Sequence, residues 1–113
     1  IWYESTNQLN LFRQTSDRWF DCIDRGGNLC EFIPYGYSKA TGIQFILDYY
    51  NISKNNAYAF GDSNNDLSML TYLRNSIAMG NAKPSSIFDK VAYITTNASC
   101  DGIQNALQHF SFI

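Results

Sequence analysis

Three short runs of uninterrupted apolar residues, Ala57-Tyr58-Ala59-Phe60, Ile77-Ala78-Met79 and Val91-Ala92-Tyr93-Ile94, alternate with stretches whose apolar residues recur every three or four positions. A run without polar alternation is what a strand covered on both faces requires, and the longer spacing marks one buried side of a helix. Ile43, Ile46, Leu47 and Tyr50 predict a helix over Ser38 to Tyr50. Leu67, Leu70 and Leu73 predict a second, and Ile103, Ala106, Leu107 and Phe110 a last one after Asp101-Gly102. Gly80-Asn81 is expected to close the middle strand, and Pro84 sits where the first turn of a further helix tolerates it. Strands alternating with helices build right-handed crossovers around a parallel sheet, so the fold class is α/β.

The first third reads differently. Arg18 to Ile23 and Leu29 to Ile33 are rich in β-formers and flank Gly26-Gly27, which predicts a β-hairpin ended by Pro34 and Gly36. Leu9 and Phe12, among polar residues in the span 2–14, give a weak helical pattern. The change of period at Pro34 to Tyr37 divides a module of residues 1–33 from an alternating unit of residues 34–113. There is no internal repeat.

Composition narrows the partners. With 113 residues, 45% of them apolar, the chain can build one modest core. Its charged fraction of 16% lies below the roughly 25% usual in soluble proteins, which excludes a disordered polyelectrolyte. Eight Lys and Arg against ten Asp and Glu, with no basic run, argue against nucleic acid. No apolar stretch approaches the roughly 20 residues that span a bilayer, and no signal-like segment stands at the start, so no membrane partner is expected. Cys22, Cys30 and Cys100 are read as reduced thiols, because a Gly-Gly turn sets Ile23 opposite Cys30 and sends the Cys22 and Cys30 sulfurs to different faces. The sequons at Asn51 and Asn97 are attributed to chance among twelve asparagines. A cytoplasmic location follows as the expectation. The chain opens on Ile1 rather than Met, which is expected of a trimmed or incompletely represented sequence.

Ligands of open α/β sheets collect at the carboxyl ends of the strands, where loops and helix N-termini converge. The segment after Phe60 holds Asp62, Ser63, Asn64, Asn65 and Asp66, a dense set of hard oxygen donors before a helix. Two carboxylates a few ångströms apart repel by about 3 kcal/mol at an effective dielectric near 20, and magnesium suits the oxygen chemistry that would relieve them. An ordinary turn, with Asp66 as cap of the next helix, accounts for the same residues. A calcium loop does not: Leu67 stands where such a loop needs Gly, and Leu73 where it needs Glu.

Lys39 falls in the first turn of its helix, where the macrodipole disfavours a cation by about 0.3 to 1 kcal/mol. It is either a solvated surface lysine or, beside helix N–H groups, part of a site for a phosphate dianion or a phosphorylated carboxylate. Asn81 stands at the same sheet edge, where turn chemistry explains it as well as a site role does. His109, near the end of the last helix, is read as a surface residue.

At Tyr37-Ser38-Lys39-Ala40-Thr41-Gly42, Gly61-Asp62-Ser63-Asn64-Asn65-Asp66-Leu67-Ser68-Met69-Leu70 and Ala78-Met79-Gly80-Asn81-Ala82, the chain resembles the haloacid dehalogenase superfamily, and within it the Cof-type phosphatases of sugar phosphates and related esters. The resemblance runs from about Trp19 to the end. It implies that Asp62 binds Mg2+, that Asp66 supports the metal or coordinates it through water, and that Asn65 holds nearby groups in place. It also implies that Lys39 neutralises the phosphoryl group and the nucleophilic carboxylate. Residues 1–33 would be the tail of an α/β cap, and residues 34–113 the C-terminal half of a Rossmann-like core.

Members of that family open with two aspartates one residue apart, a nucleophile and a general acid/base. No Asp-x-Asp occurs among the 113 residues. Phosphate monoesters are among the slowest of spontaneous hydrolyses, so metal and lysine without the nucleophile should give little turnover. The expectation is therefore the C-terminal part of a magnesium-dependent phosphatase acting through a phosphoaspartate on a small phosphorylated metabolite. Its missing N-terminal half would be one partner. Without that half, the strand at Ala57 to Phe60 becomes an open edge through which the chain could oligomerise. The alternatives are a non-catalytic phosphate- or metal-binding module and a plain structural unit that uses Asp62 and Asp66 as caps.

Overall fold

The computed structural model describes residues 1–113. Its elements are α1 (Thr6–Ser16), β1 (Phe20–Gly26), β2 (Leu29–Pro34), α2 (Lys39–Tyr49), β3 (Tyr58–Ser63), α3 (Leu67–Tyr72), β4 (Asn75–Lys83), β5 (Tyr93–Ile94) and α4 (Gly102–His109). Short 3₁₀ turns at Lys54–Asn56, Asn64–Asp66, Ser85–Lys90 and Ala98–Cys100 join them. The strands β3, β4 and β5 form a parallel sheet in that order, and β1 and β2 a separate antiparallel pair. No helix is long and apolar enough to cross a membrane.

The hairpin turns one residue later than expected. Gly27 (φ 59°) and Asn28 (φ 63°) are both left-handed, as a two-residue type I′ turn demands, and Gly26 pairs with Leu29. A register shift between Asp24 and Gly26 leaves Arg25 as the extra residue, so Asp24, not Ile23, lies opposite Cys30. Cys22 then shares the face of Cys30, and the two form a disulfide with Cα atoms 6.3 Å apart. The reduced-thiol expectation is thus corrected for this pair; Cys100 is free and exposed. The bridge also removes the thiol-based ground for a cytoplasmic location.

The same face of the hairpin packs on α1. Phe12 meets Phe32 edge-on with ring centroids 4.8 Å apart, and the Arg13 guanidinium lies 3.1 Å from Cys22 Sγ. The opposite face, carrying Asp21, Ile23, Glu31 and Ile33, is left for the site described below.

In the α/β unit, Ser38 caps α2 in a reciprocal box: its Oγ accepts the Thr41 N–H at 3.2 Å, and Thr41 Oγ1 accepts the Ser38 N–H at 2.9 Å. Leu47 of α2, Leu70 and Leu73 around α3, Ala59, Ala78 and Ala82 from the sheet, and Ile87 make the core on one face. Met79 points to the other, its methyl 2.7 Å from where a side chain on Gly102 of α4 would begin.

Four expectations change here. Ile46 of α2 and Tyr50 just after it are exposed, because only the Ile43 and Leu47 side of that helix packs into the core. β4 does not end at Gly80-Asn81 but runs to Lys83, pairing again at Ser63↔Lys83 after a shift. The strand expected from Val91 is confined to Tyr93–Ile94. The segment after Pro84 forms a 3₁₀ turn rather than an α-helix.

Candidate active site

β3 carries the acidic bend to the carboxyl edge of the sheet, and α2 brings Lys39 to the same place. Asp66 is 5% exposed and both of its oxygens are engaged. Oδ1 receives the Lys39 ammonium at 2.5 Å. Oδ2 accepts the backbone N–H groups of Asp62 at 2.9 Å and Ser63 at 3.2 Å, with Ser63 Oγ at 3.4 Å. Asp66 precedes α3 but makes no side-chain cap to it. Its carboxylate folds back to close its own bend, which corrects the simple helix-cap account of this residue. Gly61 permits that closure, since a Cβ there would stand 2.7 Å from Asp66 Cβ and 2.8 Å from Leu70 Cδ1.

Burial raises the proton affinity of Asp66. The hydrogen bond from Lys39, the N–H of Asp62, the charge of Lys39 and the N–H of Ser63 outweigh that cost and hold its carboxyl below the ordinary carboxylate value. Lys39 thus has the partner that its unfavourable position on the helix called for. Its side chain stays 46% exposed, leaving ammonium protons free for a ligand.

The other residues divide. Asp62 is exposed and its carboxylate makes no hydrogen bond or ion pair within the chain, so it is the free hard donor of the bend. Asn65 accepts the Ser63 hydroxyl at 2.5 Å through Oδ1, which leaves its amide N–H groups for another partner. Asn64 donates to the Asp24 carbonyl at 3.2 Å and ties the bend to the hairpin. Asn81 is not brought into this group; its Oδ1 accepts the Ala98 N–H at 2.9 Å and anchors the next turn. His109 is exposed and stacks on Tyr93 with centroids 3.9 Å apart.

Magnesium can be weighed against this donor set. Asp62 fits a direct ligand, whereas Asp66, with each oxygen already accepting, fits a group that shapes the bend and reaches a metal only through water. No group of three or more His, Cys, Asp and Glu converges in the chain, so carboxylates, imidazoles and thiolates of these residues alone do not complete a metal's shell.

Lys39 and Asn65 line a cleft of about 530 Å³, together with Ser38, Ser68, Tyr37, Pro34 at the end of β2 and four alternating hairpin residues: Asp21, Ile23, Glu31 and Ile33. The sequence reading missed these four. Their signal was the odd-numbered alternation along two strands, which marks a shared face without saying what it faces.

A parallel α/β sheet with an oxygen-rich bend and a lysine at its carboxyl edge presents polar side chains where open α/β sheets bind their ligands. A family profile described as haloacid dehalogenase-like hydrolase matches residues 3–107, reaching well upstream of Trp19, and the chain belongs to that family. It is 34% identical, over 74% of its length, to the 5-amino-6-(5-phospho-D-ribitylamino)uracil phosphatase YitU of Bacillus subtilis, of which it covers 29%. Among solved structures it superposes on the phosphatase-superfamily member BT1666 of Bacteroides thetaiotaomicron with a TM-score of 0.87 at 26% identity, covering 99% of this chain and 41% of that one. The subclass IIB sugar phosphatase BT4131 gives a TM-score of 0.83 at 28% identity, with 96% and 41% covered. The chain therefore spans less than half the length of each of these three proteins.

Proposed function

We propose that these residues are the metal- and phosphate-holding side of a magnesium-dependent phosphohydrolase of small phosphate monoesters, sugar phosphates or similar, acting through a phosphoaspartate whose carboxylate lies outside residues 1–113. The observation that carries the reading is the Lys39–Asp66 contact, which joins two motifs on different elements at one rim. Asp66 fixes the Lys39 ammonium and draws in two backbone N–H groups, so that the bend is rigid before any ligand arrives. Lys39 neutralises phosphoryl oxygen with its remaining protons, and Asn65, held by Ser63, offers amide donors to the same ligand. Asp62 would hold the metal, with Asp66 acting on it through water. Magnesium, when bound, would offset the charge of the phosphoryl group as a Lewis acid.

Residues 1–33 fit the tail of a cap and residues 34–113 half of a core, with a preceding segment supplying the nucleophile. The assay is orthophosphate release by the full-length protein from a panel of phosphomonoesters, with magnesium and with EDTA. Release that requires magnesium, and none from residues 1–113 alone, is the expected result. Release by the 113-residue chain, or metal-independent release by the full-length protein, would overturn the proposal. A non-catalytic module would show phosphate binding without release in the same assay.

A further inference from the structure

The hairpin has two unlike faces. One is committed to α1 and the disulfide; the other lines the cleft that holds Lys39 and Asn65. Register sets Asp21 beside Ile33 and Ile23 beside Glu31, so that carboxylates and isoleucines alternate like the squares of a chequerboard. The two carboxylates are not equivalent. Glu31 meets the Arg25 guanidinium at 3.4 Å, whereas the Asp21 carboxylate takes part in neither of the chain's two ion pairs and accepts no hydrogen bond. The bond from Asn64 to the Asp24 carbonyl fixes this strand against the acidic bend, so Asp21 is presented to the cleft from a backbone-anchored position.

An ionised carboxylate accepts hydrogen bonds and donates none. Its ligand must therefore bring donors, and a hydroxyl or ammonium bound to it makes the stronger, charge-assisted kind of hydrogen bond. A ligand with a second anionic group would instead meet like charge from Asp21, with Glu31 nearby on the same face. Ile23 and Ile33 give the apolar flanks against which a carbon skeleton can lie.

Resting on the phosphatase reading above, we propose that Asp21 is a specificity-determining residue of this cleft: it selects phosphate monoesters whose carbon skeleton bears hydroxyl or amino donors and disfavours those with an additional carboxylate. Lys39 and Asn65 hold the phosphate end, and the hairpin reads the other end. This gives one named side chain of the hairpin, Asp21, the task of discriminating among substrates.

The test compares Asp21→Asn and Asp21→Ala with the unsubstituted full-length protein, each checked for an unchanged thermal unfolding curve. Glucosamine 6-phosphate, glucose 6-phosphate, 6-phosphogluconate and p-nitrophenyl phosphate are the probes, and the readout is the ratio of kcat/KM to that for p-nitrophenyl phosphate, which carries no donor. Both substitutions should lower the ratio for the sugar phosphates by at least about tenfold and raise it for 6-phosphogluconate. A loss confined to glucosamine 6-phosphate assigns the contact to an ammonium group, and an equal loss for both sugars assigns it to hydroxyls. Ratios within about threefold of the unsubstituted protein, or a preference for p-nitrophenyl phosphate over both sugar phosphates before substitution, would overturn this inference and leave the phosphatase reading standing. Failure of the unsubstituted protein to cleave any of the four esters would overturn both.

Discussion

Lys39 and Asp66, 27 positions apart, meet through a 2.5 Å ammonium–carboxylate contact that the backbone N–H groups of Asp62 and Ser63 complete from the other side. Lys39 begins α2 and Asp66 closes the bend after β3, so the contact ties the helix to the sheet edge. A cation at a helix N-terminus is locally unfavourable, and here its compensation is tertiary.

That contact makes stability pH-dependent with a definite sign. Asp66 has a folded-state pKa below its ordinary value despite burial, because Lys39 and the two N–H groups favour the ionised form. Its contribution is present above the unfolded pKa of about 4 and is lost as pH falls through the lower folded value. Urea unfolding of the full-length protein between about pH 6 and 2 should show this loss, and Asp66→Asn should flatten the acid limb. An acid limb identical in the two proteins would contradict the assignment.

Removing the cation tests the other partner. Lys39→Met should cost only about 1 kcal/mol of stability, because the lysine is half-exposed, while making the acid limb shallower as Asp66 loses the counter-charge that lowers its folded-state pKa. Phosphatase activity of the full-length protein should fall by about two orders of magnitude or more. Retention of full activity would remove Lys39 from the site.

Gly61→Ala should act through contact alone. Its Cβ would stand 2.7 Å from Asp66 Cβ and 2.8 Å from Leu70 Cδ1, and relieving that overlap must shift the bend or α3. Thermal unfolding should report about 1 to 3 kcal/mol of destabilisation, accompanied by weaker magnesium binding. A neutral effect on both would show that the bend is more pliant than its packing implies.

Much of this was legible in the sequence for identifiable reasons. The apolar runs at Ala59 and Ile77 could only be covered strands, and the spacing of Ile43, Ile46 and Leu47 marked α2. Lys39 stood out by being in the wrong electrostatic place, and the structure supplies its partner. What could not be read was long-range. The bulge at Arg25 turns on one residue of register, which decided whether Cys22 could reach Cys30. The Asp21 face depended on which side of the hairpin α1 would cover. Ile46 and Tyr50 follow the helical period faithfully yet stay exposed, a fact that no period contains.

Those exposed residues carry a prediction of their own. Phe45, Ile46, Tyr49 and Tyr50 are exposed along α2 and after it, and β3 forms one edge of the parallel sheet. Residues 1–113 produced alone should self-associate or unfold over a broad range, and the full-length protein should not. Sedimentation velocity and calorimetry are the checks; a monodisperse 113-residue monomer with a sharp transition would contradict the account.

The most direct measurement is calorimetric titration of the full-length protein with magnesium and then with orthophosphate, in the unsubstituted form, Asp62→Ala and Lys39→Met. Asp62→Ala should weaken magnesium at least about tenfold, and Lys39→Met should weaken orthophosphate while leaving magnesium nearly unchanged. Magnesium and orthophosphate binding unaltered by both substitutions would contradict the claim that the acidic bend and the lysine form one metal- and phosphate-holding rim.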